Sequence, residues 1–176
     1  MKRINKIIEL LEEKQPAYYV STSDFTYGNG KEMAQTWADY IRLDLEHGAF
    51  DMVGVDKFMK GLVDGGPTKS GHRTPAVVAE LPFAGTSKQT VEANAWITSQ
   101  LLACGVHGLL LCHAESVEAV KTLIEVIRYP IHEIDENNVL KIGKRGHGGE
   151  KNATQICTFC CFNLFIVYKK TLPNHT

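Results

Sequence analysis

The chain has 176 residues, with 19 lysines and arginines against 20 aspartates and glutamates, a formal net charge of -1 and 44% hydrophobic residues. That length suits about one domain with a real core, and the composition excludes a wholly disordered, collagenous or coiled-coil chain. No basic excess exists to neutralise phosphates, which argues against a nucleic-acid partner.

Five cysteines are too few for a disulfide scaffold, and three of them (Cys157, Cys160, Cys161) crowd together near the end. The start, Met1-Lys2-Arg3-Ile4, runs straight into Glu9, Glu12 and Glu13. A secretory signal needs an uninterrupted apolar stretch there, so the reduced cytoplasm is the expected location.

The spacing of Ile4, Ile7, Ile8 and Leu11 predicts an amphipathic helix, with Gln15-Pro16 as its stop, so residues 1–16 form an N-terminal helix unit. Residues 18–21 read as a short strand, followed by a loop carrying Asp24, Gly28 and Gly30. Ala34, Trp37, Ala38 and Ile41 then mark a helical face. A second strand is expected over 41–45. His47-Gly48 leads from it into a helix with Val55, Phe58, Met59 and Leu62 inward, ended by Gly65-Gly66-Pro67. Residues 76–81 predict the third strand, with Pro82 in its loop and one long helix over 88–104 capped by Gly105. The fourth strand, 106–112, holds Leu109, Leu110, Leu111 and Cys112 in succession, as in a strand buried on both faces. Ser116 caps a last helix facing inward through Val120, Leu123, Ile124 and Ile127, and Pro130 closes it. Trp37, Trp96 and the methionines are expected in the core, and Cys104 and Cys112 as buried thiols.

Successive strand-helix units at this spacing predict an α/β fold with a parallel sheet. Two architectures fit: a doubly wound open sheet of flavodoxin type, or part of a (βα)8 TIM barrel, which takes about 250 residues when complete. The unit pattern covers 17–150. Residues 131–151 are polar and glycine-rich, and 152–168 carry no charge, so 151–176 read as a divergent hydrophobic tail. Its Cys157-Thr158-Phe159-Cys160 is a lone CxxC with only Cys161 and His175 to complete a zinc set, and polar Asn152, Thr154, Gln155 and Asn163 argue against a membrane span.

Ligands of parallel α/β sheets bind beyond the carboxyl ends of the strands. Here those ends are 21–24, 44–47, 80–86 and 112–115, and the second is the richest: Asp44-Leu45-Glu46-His47-Gly48. A carboxylate close to an imidazole fixes its tautomer and raises its basicity, which suits a general base near neutral pH. The bland reading, in which these groups merely satisfy one another at a strand end, stands beside the functional one. His113 and Glu115 also lie at a strand end, although Glu115 and Ser116 equally suit a helix start.

Asp44-Leu45-Glu46-His47-Gly48-Ala49-Phe50-Asp51 resembles the Asp-x-Glu-His-Gly segment of the HpcH/HpaI aldolase/citrate lyase family. The resemblance extends through 76–82, the helix from Gln89, Leu111-Cys112-His113-Ala114-Glu115-Ser116 and Lys144-Arg145-Gly146, so it spans about 17–147. It implies a (βα)8 barrel and a lyase or aldolase acting on 4-hydroxy-2-oxo acids. In such enzymes a divalent metal (Mg2+, Mn2+ or similar) bound by the 2-oxo acid stabilises the enolate of pyruvate. By motif match, His47 takes the acid/base role and Asp44 orients it, and Glu46 belongs to the same motif in a supporting role; Glu46, Glu80 and His113 are the expected substrate-binding candidates by their places at the strand ends. Two departures stand out. Ala79-Glu80-Leu81-Pro82 lacks the arginine the family carries before this proline, and the family's metal ligands, on the fifth and sixth strands, cannot be assigned here. The expected partner is therefore a small 2-oxo acid, with neither nucleic acid nor membrane involved and a homo-oligomer if the chain folds. The alternatives are a truncated, inactive homologue and a small flavodoxin-like binding domain. The Lys144-Arg145-Gly146 loop is expected either to bind an anion or to meet a partner subunit.

Overall fold

A computed structural model describes residues 4–130 and 143–146. The polar segment 131–142, the CxxC and the rest of the tail 151–176 lie outside the described residues. The elements follow in the order α1 (Lys6–Glu12), β1 (Tyr19–Thr22), α2 (Tyr27–Met33), β2 (Tyr40–Asp44), α3 (Met52–Gly65), β3 (Ala76–Ala84), α4 (Lys88–Ala93), α5 (Ala95–Ala103), β4 (Gly108–Cys112) and α6 (Val117–Ile127).

The strands are parallel and ordered β1-β2-β3-β4. A doubly wound sheet reverses its strand order at a switch point, and this one does not. Sequential order with right-handed crossovers puts every connecting helix on the same face, as in a barrel wall. Alternation along the strands agrees. Ile41, Leu43, Leu45, Val77, Ala79, Leu81, Leu109 and Leu111 join one core with Phe58, Leu62, Leu101 and Leu123 from the helices. The opposite face carries Tyr19, Ser21, Tyr40, Arg42, Asp44, Val78, Glu80 and Cys112. The flavodoxin-like reading is thereby set aside in favour of a partial TIM barrel. No helix among the described residues is long and apolar enough to cross a membrane.

Helix α1 covers the amino-terminal end of the sheet, where Ile7 and Ile8 bury against Ala76 with Ile4, Ala17 and Tyr40 around them. Leu11, expected on that buried face, is exposed. Asn5 caps the helix by accepting from the Ile8 amide at 3.2 Å.

Four local expectations are corrected. The helix expected around Ala34, Trp37 and Ala38 lies earlier, over α2, and Gly28 and Gly30 sit inside it rather than in a loop. The cause is close packing against α3. A Cβ on Gly30 would lie 2.2 Å from the Phe58 carbonyl oxygen, and one on Gly61 would lie 2.2 Å from that of Tyr27. Trp37 consequently falls outside the helix and is 72% exposed, and Trp96 is 57% exposed, so neither belongs to the core. Phe50 meets Trp96 edge-on at 6.1 Å. The long helix expected over 88–104 is broken at Asn94, whose side chain donates to the Thr90 carbonyl at 2.8 Å and whose backbone leaves the helical region. Finally, Pro82 lies within β3. Glu80 pairs with Leu110 and Ala84 with Cys112, so β3 carries a bulge there and needs no amide from the proline.

Gly105, at φ 91°, ends α5 as expected. His107 then enters β4 fully tied to β3: its amide donates to the Val77 carbonyl at 2.8 Å, and its Nδ1 accepts from the Val77 amide at 3.1 Å. An accepting nitrogen must be unprotonated, and burial pushes this imidazole down from 6.5 to about 4.

Two outcomes follow from this packing. Gly30→Ala should lower stability by about 1–3 kcal/mol by prising α2 from α3, seen as a lower urea midpoint with unchanged helix content. His107 has a folded value below its unfolded one, so the unfolded chain takes the proton first. Stability is therefore full above pH 6.5 and is lost as pH falls toward about 4. That loss amounts to roughly 3 kcal/mol. Urea unfolding at pH 7 and pH 5 should show the drop, and His107→Gln should flatten it.

Candidate active site at the strand ends

Asp44 is the last residue of β2 and faces the same side as Arg42 and, across the ladder, Glu80, its register partner. Its carboxylate closes the strand end by accepting three hydrogen bonds. Oδ1 takes the Glu46 amide at 3.1 Å, the His47 amide at 3.0 Å and the His47 ring Nδ1 at 3.0 Å. Oδ2 lies 3.1 Å from the same Nδ1. An ionised carboxylate can only accept, so Nδ1 points its proton at Asp44 and Nε2 faces outward. Partial burial by itself raises Asp44, but the hydrogen bonds from His47 and Glu46, with the charge of the His47 ring, outweigh it and hold the carboxyl below the usual range.

His47 is 66% exposed, at the carboxyl end of the sheet where the sequence places it. The structure brings all five candidates together there. His113 Nε2 lies 3.0 Å from Glu46 Oε1, and His47 Nε2 lies 3.7 Å from Glu46 Oε2. Glu80 lies deeper and is only 2% exposed, with Cys112 Sγ 3.5 Å from Oε1 and Arg42 Nη1 3.3 Å from Oε2. Burial first, then Glu46 and Glu80 beside it, push the Cys112 thiol far above its ordinary range, so it stays protonated.

Arg42 was not singled out in the sequence, although its alternation with Asp44 on β2 puts it on the same face. Its Nε donates to Ser21 Oγ at 3.2 Å, and its guanidinium lies 5.2 Å from the Tyr19 ring centroid. The carboxylate that stands where an arginine is usual therefore meets a guanidinium from the neighbouring strand. His72 and Arg73 lie far from this constellation, in the segment entering β3 at the amino end, where His72 Nε2 is 3.5 Å from Glu9 of α1. Lys144 and Arg145 pack on the end of α6, Lys144 Nζ 2.6 Å from Glu125 and the Arg145 guanidinium 4.5 Å from the Tyr129 ring centroid.

Two donor sets draw within 4.8 Å: Asp44, His47 and Glu80, and Glu46, Glu80 and Cys112. Neither fits a divalent cation. Asp44 and His47 Nδ1 are committed to each other, Glu80 faces the Arg42 guanidinium and Glu46 is held by His113, so a cation would have to displace a partner at each set.

No family model matches the chain, and no curated protein does. Solved structures do match. An HpcH/HpaI aldolase/citrate lyase family protein from Burkholderia cenocepacia J2315 superposes with a TM-score of 0.63 at 18% identity, over 85% of this chain and 51% of its own. The HpcH/HpaI aldolase from Desulfitobacterium hafniense DCB-2 gives 0.58 at 17% identity, over 86% and 48%. Macrophomate synthase gives 0.55 at 19% identity, over 81% and 40%. The likeness is one of fold. This chain has the architecture of the aldolase barrels and spans about half the length of those it matches.

Removing Arg42 leaves the Glu80 carboxylate buried beside no guanidinium. Arg42→Met should cost about 3 kcal/mol, and adding Glu80→Gln should restore most of it, as read from the urea midpoints of the single and double variants.

Proposed function

We propose that this chain belongs to the HpcH/HpaI aldolases and lyases, and that its strand ends handle the proton in cleavage or formation of 4-hydroxy-2-oxo acids. One observation carries the reading: an imidazole clamped by a carboxylate at Nδ1, with Nε2 open at the carboxyl end of a barrel wall. The fold likeness to aldolase structures and the Glu-His-Gly segment support it independently.

In the cleavage direction His47 Nε2 accepts the proton of the substrate's 4-hydroxyl. The electrons of that O–H bond form the aldehyde carbonyl, the carbon-carbon bond breaks, and its electron pair passes into the enolate of pyruvate. Asp44 keeps the ring in the accepting tautomer and offsets the imidazolium charge that develops. Arg42 and Glu80 hold the wall beneath the site. The resemblance implies a divalent metal as well. The described donors do not form its site, and the movement of the proton belongs to the chain's own residues. β1 and β4 are both unpaired at their outer edges among the described residues, which favours association with a further copy.

The test is release of pyruvate from a 4-hydroxy-2-oxo acid with Mg2+ or Mn2+ supplied. His47→Ala should lower kcat/KM by about 10²–10⁴-fold, with the circular dichroism spectrum unchanged. Asp44→Asn, which permits the wrong tautomer, should fall in the same direction. Turnover that survives His47→Ala sinks the assignment. A wild-type chain that folds but releases no pyruvate favours the inactive homologue instead.

A further inference from the structure

The sheet has two open margins. β1 stands at one edge and β4 at the other, so among the described residues each presents an unpaired row of amides and carbonyls. Apolar side chains mark both margins on the inner face of the wall. Tyr19 of β1 leans on Tyr40, ring centroids 5.4 Å apart, with the Arg42 guanidinium over it, yet it stays 47% exposed. Leu110 of β4 is partly exposed and stands outside the core that takes up Leu109 and Leu111. All four strands are parallel, so β4 of one copy can meet β1 of another in the same sense.

We propose that two copies of this chain close, β4 of each against β1 of the other, into one barrel, and that each copy completes the rim of the other's site. The assembly rests on the barrel architecture; only the chemistry of the shared rim rests on the lyase reading. Unlike margins on a flat wall would add copies without end, whereas a wall curved as in a barrel turns back on itself. This wall superposes over 85% of its length on an aldolase barrel of which it matches 51%, so two copies make the full circle.

Barrel geometry also sets the register of the seam. In a closed (βα)8 barrel a path square to the strands returns displaced by about eight residues, so by about four for each of two equal halves. From Leu110 the path crosses Glu80 and Asp44 and reaches Ser23, one step past the Thr22–Leu43 pair. A shift of about four residues back from Ser23 gives Tyr19, and the same shift forward gives Tyr27, already in α2. Only the first makes a ladder. Leu110 then lies beside the partner's Tyr19, and the two inward apolar side chains cover each other. Cys112 lies beside the partner's Ser21, which brings the partner's Asp24 toward His113 at the mouth. The second seam is identical, by the two-fold axis.

Within one chain Tyr19 and Leu110 sit on opposite edges of the sheet with β2 and β3 between them. That is about 14 Å, too far for a disulfide, so a bridge between these positions joins two copies. Light scattering of the intact chain should give the mass of two chains. On oxidation, Tyr19→Cys with Leu110→Cys should run as a covalent dimer on a non-reducing gel, with positions 19 and 110 joined in the peptide mass spectrum. Either substitution alone should give at least about ten-fold less dimer. Where the double variant does not fold, Tyr19→Glu supplies a second reading: a charge in the seam should raise the dimer dissociation constant at least about ten-fold. A folded monomer, its margins covered by the chain's own residues, overturns the proposal. So do open-ended assemblies, a dimer that forms without the 19–110 bridge, and a dimer that Tyr19→Glu leaves unchanged. Pyruvate release is read separately. A bridged dimer without turnover overturns the lyase reading and leaves the closed barrel standing.

Discussion

The arrangement at the strand ends depends on the Asp44 carboxylate. As the final residue of β2 it has no further ladder to join, and it turns the chain by accepting the next two free amides together with the ring of His47. Local backbone geometry and candidate chemistry thus come from the same side chain. The turn that orients His47 is held by the group that fixes its tautomer, so the imidazole arrives at the open end of the sheet already committed to one proton arrangement. Buried charge then supports this turn from beneath. Glu80 stands opposite Asp44 in the ladder, and Arg42, two residues earlier on β2, faces it at 3.3 Å. A carboxylate so fully removed from water persists only with a partner of opposite charge, and the partner comes from the adjacent strand.

Much of this was legible from residue spacing. The fourth strand showed in Leu109, Leu110 and Leu111, the third helix in Val55, Phe58, Met59 and Leu62, and the polar cluster at the end of β2 in Asp44, Glu46 and His47. What decided between two parallel architectures was strand order, which no local pattern encodes. Gly28 and Gly30 misled because glycine marks both turns and close helix contacts, and only the position of α3 shows that the second applies. Asn94 breaks a helix whose apolar spacing continues past it, and Trp37 and Trp96 mimic core residues by composition alone. Arg42 was hidden for a related reason: its partner lies on another strand, so its meaning depends on register. The bond between His113 and Glu46 joins β4 to the end of β2 and was beyond the reach of a linear reading.

The openness of His47 has a further chemical meaning. An enolate that must wait for an aldehyde survives only where water is kept out, whereas one destined for protonation loses nothing by being wet. A ring with two-thirds of its surface in contact with solvent among the described residues offers no such exclusion of water.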